Sequence, residues 1–294
     1  MESKKNFTIT IPCWNNTDIT GQSILHIISH FGNTADFILI ENFSPHKDTP
    51  LFLKKAADKY PNVKAVRPHR RATISECLNY GISQAKTPYF IALDDDVKAL
   101  EVVPERIAEL IDSCPEIGIL SPWFSDDSDT WTKTEPEYKS LATPIKLGNK
   151  YNLLEIPTYM FGAFMVMRIE DLLALKKNNG QAFREPGAYG SHDRWISESF
   201  HELGKKLIYD PEQLAYHKAI PITDPNLLLW KKFSQACWTR LPFAQWKHLY
   251  IDNQGKWWKA PMIRLDEIMG TKIFGEKWAG IKGKFRRPIE FKPL

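Results

Sequence analysis

A chain of 294 residues and 34.0 kDa with 43% hydrophobic and 12% aromatic residues can bury a large core, which excludes global disorder and fits one large domain or a domain with an appendage. The formal charge of +4 is lopsided, because residues 218–294 hold 15 Lys/Arg against 6 Asp/Glu while residues 1–217 hold 24 against 29. No apolar leader follows Lys4 and Lys5, the apolar window 159–167 is far short of the ~20 residues that span a bilayer, and Cys13, Cys77, Cys114 and Cys237 form no CxxC pair, so a soluble, unexported, cytoplasmic protein with reduced thiols is expected, without a zinc knuckle or disulfide framework.

Along the chain, strand and helix signals alternate. Phe7, Ile9 and Ile11 have the period of a strand that ends in "IPCWNN", and Ile24, Leu25, Ile27, Ile28 and Phe31 recur at helical spacing before Gly32 stops them. "FILIE" predicts a buried strand, "TPLFLKKAADKY" a helix, "VKAV" a strand, and "TISECLNYGISQA" a helix opened by a capping box from Thr73 to Glu76. "YFIAL" is a fourth strand, "PERIAELIDSC" a helix with Pro104 in its first turn, and "IGILS" a fifth strand. This order predicts a mostly parallel, doubly wound, Rossmann-like α/β sheet flanked by helices, whose ligands bind outside the carboxyl ends of the strands. Trp14, Asn15, Glu41 and Asp94–Asp96 then share one rim.

Residues 122–157 show no period and read as a loop or irregular insertion. "YMFGAFMVMR" predicts a buried strand, "IEDLLALKK" a helix, "NNGQAFREPGAYGSH" a Gly-bearing loop, 193–203 a helix, and "KLIYD" and "QLAYH" two short strands.

Three adjacent carboxylates, Asp94, Asp95 and Asp96, at the end of a buried strand make a hard-oxygen site suited to Mg²⁺ or Mn²⁺, which commonly hold phosphate oxygens; the alternative is a solvated acidic turn. A haloacid-dehalogenase phosphatase also has Asp-x-Asp at a strand end, but on its first strand and with Thr or Val where this chain has Lys98. Gly-x-Gly-x-x-Gly, Walker A, His-Glu-x-x-His and Gly-x-Ser-x-Gly motifs are absent, which removes the main support for dinucleotide oxidoreduction and P-loop hydrolysis.

In order, "ITIPCWNN", "ILIENFSPHKD", "ATISECLNYGISQAKTPYFIALDDDV", "MFGAFMVMRIEDL" and "GSHDRWISESFHELGKKLIYDPEQLAYH" resemble the successive motifs of family-2 glycosyltransferases with the GT-A fold, over roughly residues 6–217. The resemblance implies a nucleoside-diphosphate-sugar donor with UDP-sugars favoured, a divalent cation, and inversion at the anomeric carbon. It implies that Pro12, Trp14 and Asn15 lie at the donor, with Trp14 packing on the base and Glu41 accepting a hydrogen bond from it. Asp94 and Asp95 would lie by the ribose and base, Asp96 would hold the metal, His217 would add a ligand to it, and Asp193 would be the catalytic base. Even with the resemblance, plainer readings stand beside these: Asp193 as a helix N-cap, His217 as a satisfied histidine and Trp14 as core packing.

Several positions depart from the family pattern. His192 stands where an acidic residue usually precedes the base, Leu78 where many members have Arg, and Glu41 where Asp is usual; Arg70 or Arg71 could supply positive charge near the diphosphate. "QACWTR" replaces the Gln-x-x-Arg-Trp of processive enzymes. The expected organisation is a catalytic domain over 1–217 and a basic, Trp-rich extension over 218–294, with Trp230, Trp238, Trp246, Trp257, Trp258 and Trp278 among its lysines and arginines. That composition fits a polyanionic acceptor, nucleic acid ahead of a membrane glycolipid or surface polysaccharide, with a hydroxymethylated base in DNA as one target; peripheral membrane attachment, or tryptophans that only complete the core, are the alternatives. A chain that only binds sugar nucleotide or nucleic acid is the non-catalytic alternative, raised by His192.

Overall fold

Strand β1 (Phe7–Cys13) shows why the first prediction is a strand and also what it underestimates. Phe7, Ile9 and Ile11 are buried, but so are Thr8 and Thr10 between them, because helices cover the sheet on both faces. The Thr8 hydroxyl meets that of Thr87 at 2.7 Å, which satisfies both polar groups inside the core. The computed structural model describes residues 5–14, 17–44, 46–69, 72–124, 141–147, 150–183, 192–218 and 289–294.

Helix α1 (Thr17–Phe31) buries Ile24, Ile27, Ile28 and Phe31, and Gly32 takes a positive φ of 49° where the helix stops. There follow β2 (Ala35–Glu41), α2 (Asp48–Lys59), β3 (Val63–Pro68) and α3 (Ile74–Gln84). The capping box at α3 is present in both halves: Glu76 N donates to Thr73 Oγ1 at 3.1 Å and Thr73 N to Glu76 Oε2 at 2.9 Å. The chain continues through β4 (Tyr89–Leu93), β5 (Val97–Glu101), α4 (Pro104–Ser113) and β6 (Ile117–Phe124). Next come β7 (Thr143–Leu147), β8 (Tyr151–Glu155), β9 (Phe164–Arg168), α5 (Ile169–Asn179), α6 (His192–Glu202), β10 (Lys206–His217) and β11 (Phe291–Pro293).

Among the described residues the strands form one sheet in the order β11-β3-β2-β1-β4-β9-β6-β10-β8-β7, with β5 on β10. The predicted parallel arrangement holds for β3-β2-β1-β4 and for β6 with β10. Strand β9 enters antiparallel between β4 and β6, and the β7-β8 hairpin and β11 extend the edges antiparallel. The sheet is therefore mixed, a property of neighbour choice that periodicity does not carry. Strand order reverses at β1 and β4, the kind of switch point where the carboxyl ends leave a crevice.

Two sequence readings change. Part of 122–157, expected as loop, is the β7-β8 hairpin, where Leu147, Tyr151 and Leu153 turn to the core. Residues 289–294, assigned to the extension by composition, add β11 to the edge of β3 and belong to the same compact unit as the sheet. The rest of the extension, 219–288, lies outside the described residues. Among those described, no helix is long and apolar enough to cross a membrane.

The two strands expected at 206–217 are one strand with a break between Asp210 and Leu214. Asp210, 1% exposed, organises it: Arg106 donates to both carboxylate oxygens at 2.7 and 3.0 Å, Glu212 N donates at 3.1 Å and Gln213 Nε2 at 3.1 Å. Gln213 Oε1 in turn accepts from Val103 N at 2.7 Å. Beyond the break the strand pairs with β5, His217 opposite Val97. Asp210→Ala would leave Arg106, Gln213 and the Glu212 amide without their shared acceptor; the expected loss is about 2–3 kcal/mol of unfolding free energy, read from the urea midpoint at unchanged slope.

Candidate functional site

The crevice at the switch point is closed by one carboxylate. Asp95, 5% exposed, accepts from Trp14 N at 2.8 Å and from Thr20 Oγ1 at 2.9 Å through the same oxygen, Oδ2. It thereby ties the end of β4 to the loop that leaves β1 and to α1. Trp14 is partly buried here, and Pro12, one residue before the end of β1, is partly exposed opposite Ile40 of β2.

The neighbouring carboxylates face a different group. Ligand atoms of Asp94, Asp96 and His217 lie within 4.8 Å of one another, with His217 Nε2 3.2 Å from Asp96 Oδ1. The loop is held at two backbone points: Asp94 N donates to Ala163 O at 3.0 Å, and Lys218 N to Asp96 O at 2.8 Å. His217 meets the rings of Phe161 and Phe124 edge-on, at centroid distances of 5.2 and 6.3 Å, and these contacts restrict its orientation. Burial first, then the charges of Asp96, Asp95 and Asp193, push the Asp94 carboxyl up to about 8, with His217 opposing. Two carboxylate oxygens and one imidazole nitrogen, crowded with excess negative charge, form a donor set that fits Mn²⁺ or Mg²⁺.

Asp193 sits in the first turn of α6 and packs against Gly162, whose neighbour Ala163 accepts the hydrogen bond from Asp94 N. Ser197 fixes this turn by donating to Asp193 O at 2.7 Å and accepting from Met160 N at 3.0 Å, so helix and loop 159–163 are one assembly. Gly162 is required there, since a Cβ would stand 2.9 Å from His192 Nε2 and 3.1 Å from Asp193 Cβ. Burial lowers the pKa of His192, with Asp193 opposing, so the ring beside the carboxylate is held toward its neutral form.

Along the same rim, Glu41 is 0% exposed and its carboxylate is committed to the protein. Ser44 N donates to Oε1 at 2.7 Å, Phe43 N to Oε2 at 3.3 Å, and Arg67 Nε forms a close ion pair with Oε2. The Arg67 guanidinium also lies 5.4 Å over the Phe43 ring, and Phe43 has a φ of 59°, a left-handed conformation that an aromatic residue rarely adopts. Asn42 clamps the other side of the crevice, donating to Ala72 O at 2.9 Å and accepting from Ala72 N at 2.8 Å. Asn79 makes the same paired contact with the backbone of Phe183, at 2.7 and 3.1 Å. Asn15, Arg70 and Arg71 lie outside the described residues.

The structure thus brings Asp94, Asp96 and His217 together with Asp193 nearby, and puts Trp14 and Glu41 on the adjoining rim. Arg67, Phe43, Gly162 and Ser197 were not singled out in the sequence. Only Gly162, in the small-residue step of "MFGAF", left a trace there.

Because the folded state holds the Asp94 proton up to about 8 against an ordinary 3.8, this group's contribution is greatest below the ordinary value and is lost as pH rises through 8. Metal-free protein is expected to lose stability across that window. Asp94→Asn should then exceed the wild type at pH 9 in EDTA by on the order of 2 kcal/mol, and lose the Mn²⁺-dependent rise in melting temperature. Equal melting at pH 9 would mean that the carboxylates are not crowded.

The family profile described as glycosyl transferase family 2 matches residues 8–172. No characterised protein sequence matches the chain. Among solved structures, GalNAc-T7 with UDP, GalNAc and Mn²⁺ is similar at 17% identity and a TM-score of 0.55, over 88% of this chain and 55% of that one. A mannosyltransferase, PcManGT from Pyrobaculum calidifontis with GDP-Man and Mn²⁺, is similar at 15% identity and 0.54, over 96% and 80%. TarS of S. aureus is similar at 11% identity and 0.53, over 91% and 44%, so the chain spans about half the length of two of these three. Their likeness is one of fold, the GT-A arrangement of a central sheet flanked by helices. With the strand-end carboxylates in place and a profile that spans more than half its length, the chain belongs to glycosyl transferase family 2.

Proposed function

We propose that the protein transfers a sugar from a nucleoside-diphosphate sugar, a UDP-sugar first, to an acceptor hydroxyl in one inverting displacement. The observation that carries this reading is the convergence of Asp94, Asp96 and His217 at the carboxyl end of β4 beside Asp193. The UDP and GDP-Man of the two Mn²⁺-containing structural neighbours support the same donor class.

In this reading Asp96 and His217, with Asp94 beside them, hold Mn²⁺ or Mg²⁺. When bound, the cation neutralises charge on the departing diphosphate. Asp193 takes the proton of the acceptor hydroxyl as its oxygen bonds the anomeric carbon and the bond to the diphosphate breaks. Burial holds the neighbouring His192 toward its neutral form, so no second charged group stands beside Asp193 on that residue. Trp14 borders the donor base. Asp95 keeps the Trp14 backbone in register with the metal loop, and Glu41 orders the rim from within.

The acceptor we infer is a polyanion, nucleic acid before membrane glycolipid. Support comes from the 15 Lys/Arg against 6 Asp/Glu of residues 218–294 and the tryptophans among them. A hydroxymethylated base in DNA supplies the hydroxyl and would be flipped out to reach the site. Cytoplasmic residence belongs to the same reading, with Cys13, Cys77 and Cys114 buried as thiols.

A thermal-shift panel of UDP-, GDP-, CDP- and dTDP-sugars, with and without Mn²⁺, tests the donor reading. One donor is expected to stabilise wild type but not Asp96→Ala, and only with metal. Asp193→Asn should keep donor affinity and lower turnover by about 10²–10⁴-fold. Folded protein with no metal-dependent shift would sink the reading. For the acceptor, salt-sensitive DNA binding is the expected result, and binding to anionic vesicles alone would move the target to glycolipid.

A further inference from the structure

Residues 289–294 take no part in the reaction described above, yet they are fastened directly behind the donor side of the rim. Strand β11 pairs antiparallel with β3, Phe291 opposite Pro68, Lys292 opposite Arg67 and Pro293 opposite Val66. His69 N donates to Glu290 O at 2.9 Å and Leu294 N to Ala65 O at 3.1 Å. Glu290 N donates to His69 Nδ1 at 3.0 Å, so one side chain continues the ladder past the end of β3. The bonding positions of β3 are therefore 65, 67 and 69. Lys292 N faces Arg67, and Pro68 and Pro293, which have no N–H, fall where the ladder needs none.

The side chains bind the same region a second time. Phe291 stacks on Tyr80 of α3 at 4.0 Å, and with Ile289 it packs on a small cluster of Ile38, Ile40, Val66, Ala72 and Cys77, separate from the main core. Ala72 is the residue clamped by Asn42, and Arg67 is the residue that pairs with Glu41 and covers Phe43. The left-handed Phe43 persists because its surroundings over-determine it, and Arg67 is one of those surroundings.

We propose that residues 289–294 are a positioning strand of the donor site: by closing the edge of β3 they hold Arg67 so that it orders Glu41 and Phe43 where the donor base lies. The inference rests on the donor reading of the rim given above. Without this strand, β3 becomes an open edge free to fray, its small cluster loses two of its covering side chains, and the rim loses a defined shape.

The test uses the full chain with Lys292→Pro, which removes the N–H facing Arg67, and Lys292→Ala, which keeps it. Affinity for the donor identified in wild type, and for Mn²⁺ alone, is measured by calorimetry. Lys292→Pro is expected to weaken donor binding about tenfold, with Mn²⁺ affinity within about twofold of wild type and Lys292→Ala unchanged. His69→Ala should act in the same direction, and His69→Asn, whose Oδ1 can accept the Glu290 N–H, should restore binding; this pair carries the test if the proline variant does not fold. Unchanged donor affinity in folded variants, or parallel loss of Mn²⁺ affinity, overturns the proposal. Amide exchange at Phe43 and Ser44 gives a ligand-free readout, expected to speed up in Lys292→Pro. Wild type that binds no sugar nucleotide would refute the donor reading, whereas unaltered exchange would refute the positioning strand itself.

Discussion

Three carboxylates in a row at the end of a buried strand repel one another, and the rest of the site follows from how that repulsion is divided. Asp95 accepts hydrogen bonds from a backbone amide of the β1 loop and a hydroxyl of α1, so it acts as a structural joint. Asp96 turns to His217, and Asp94 is left with burial and three neighbouring negative charges. Asp94 and Asp96, with His217, form the group that could hold a cation. The adjacency that looks redundant in sequence is thus one joint and two members of that cluster.

The parts that meet this loop come from distant stretches of chain, and each arrives through a specific constraint. His217 reaches Asp96 because β10 breaks at Asp210, where Arg106 and Gln213 fix the excursion, and then pairs with β5. Asp193 reaches it because Ser197 joins its helix to the loop before β9, and because Gly162 leaves room for the ring of His192. A shift in either device would separate Asp193 from the Asp94, Asp96 and His217 cluster without altering any of those groups.

Glu41 illustrates how a family expectation and a physical environment can diverge. The resemblance gives it a bond to the donor base. In the structure, two backbone amides and Arg67 occupy a fully buried carboxylate, and what Glu41 orders is the Phe43 turn. The longer side chain of Glu relative to Asp accounts for this, since it can curl back to the amides of its own loop.

Much of the architecture was legible in the order of residues. Buried runs such as "FILIE" and "YFIAL", the Thr73–Glu76 capping box, and Gly32 after Phe31 report local physics: side-chain periodicity, orphan amides at a helix start, and a backbone angle. They determined the strands and helices of the first 120 residues, the rim that bears the carboxylates, and the family. Tertiary structure alone decided which strands neighbour which, so β9 runs antiparallel between β4 and β6 and residues 289–294 return to β3 across more than two hundred positions. It also decided which carboxylate is a joint and which ones cluster with His217, and it added Arg67, Ser197 and the β7-β8 hairpin. The reason is physical: periodicity records whether a residue is buried, whereas pairing, charge compensation and steric room depend on a partner whose distance along the chain leaves no local trace.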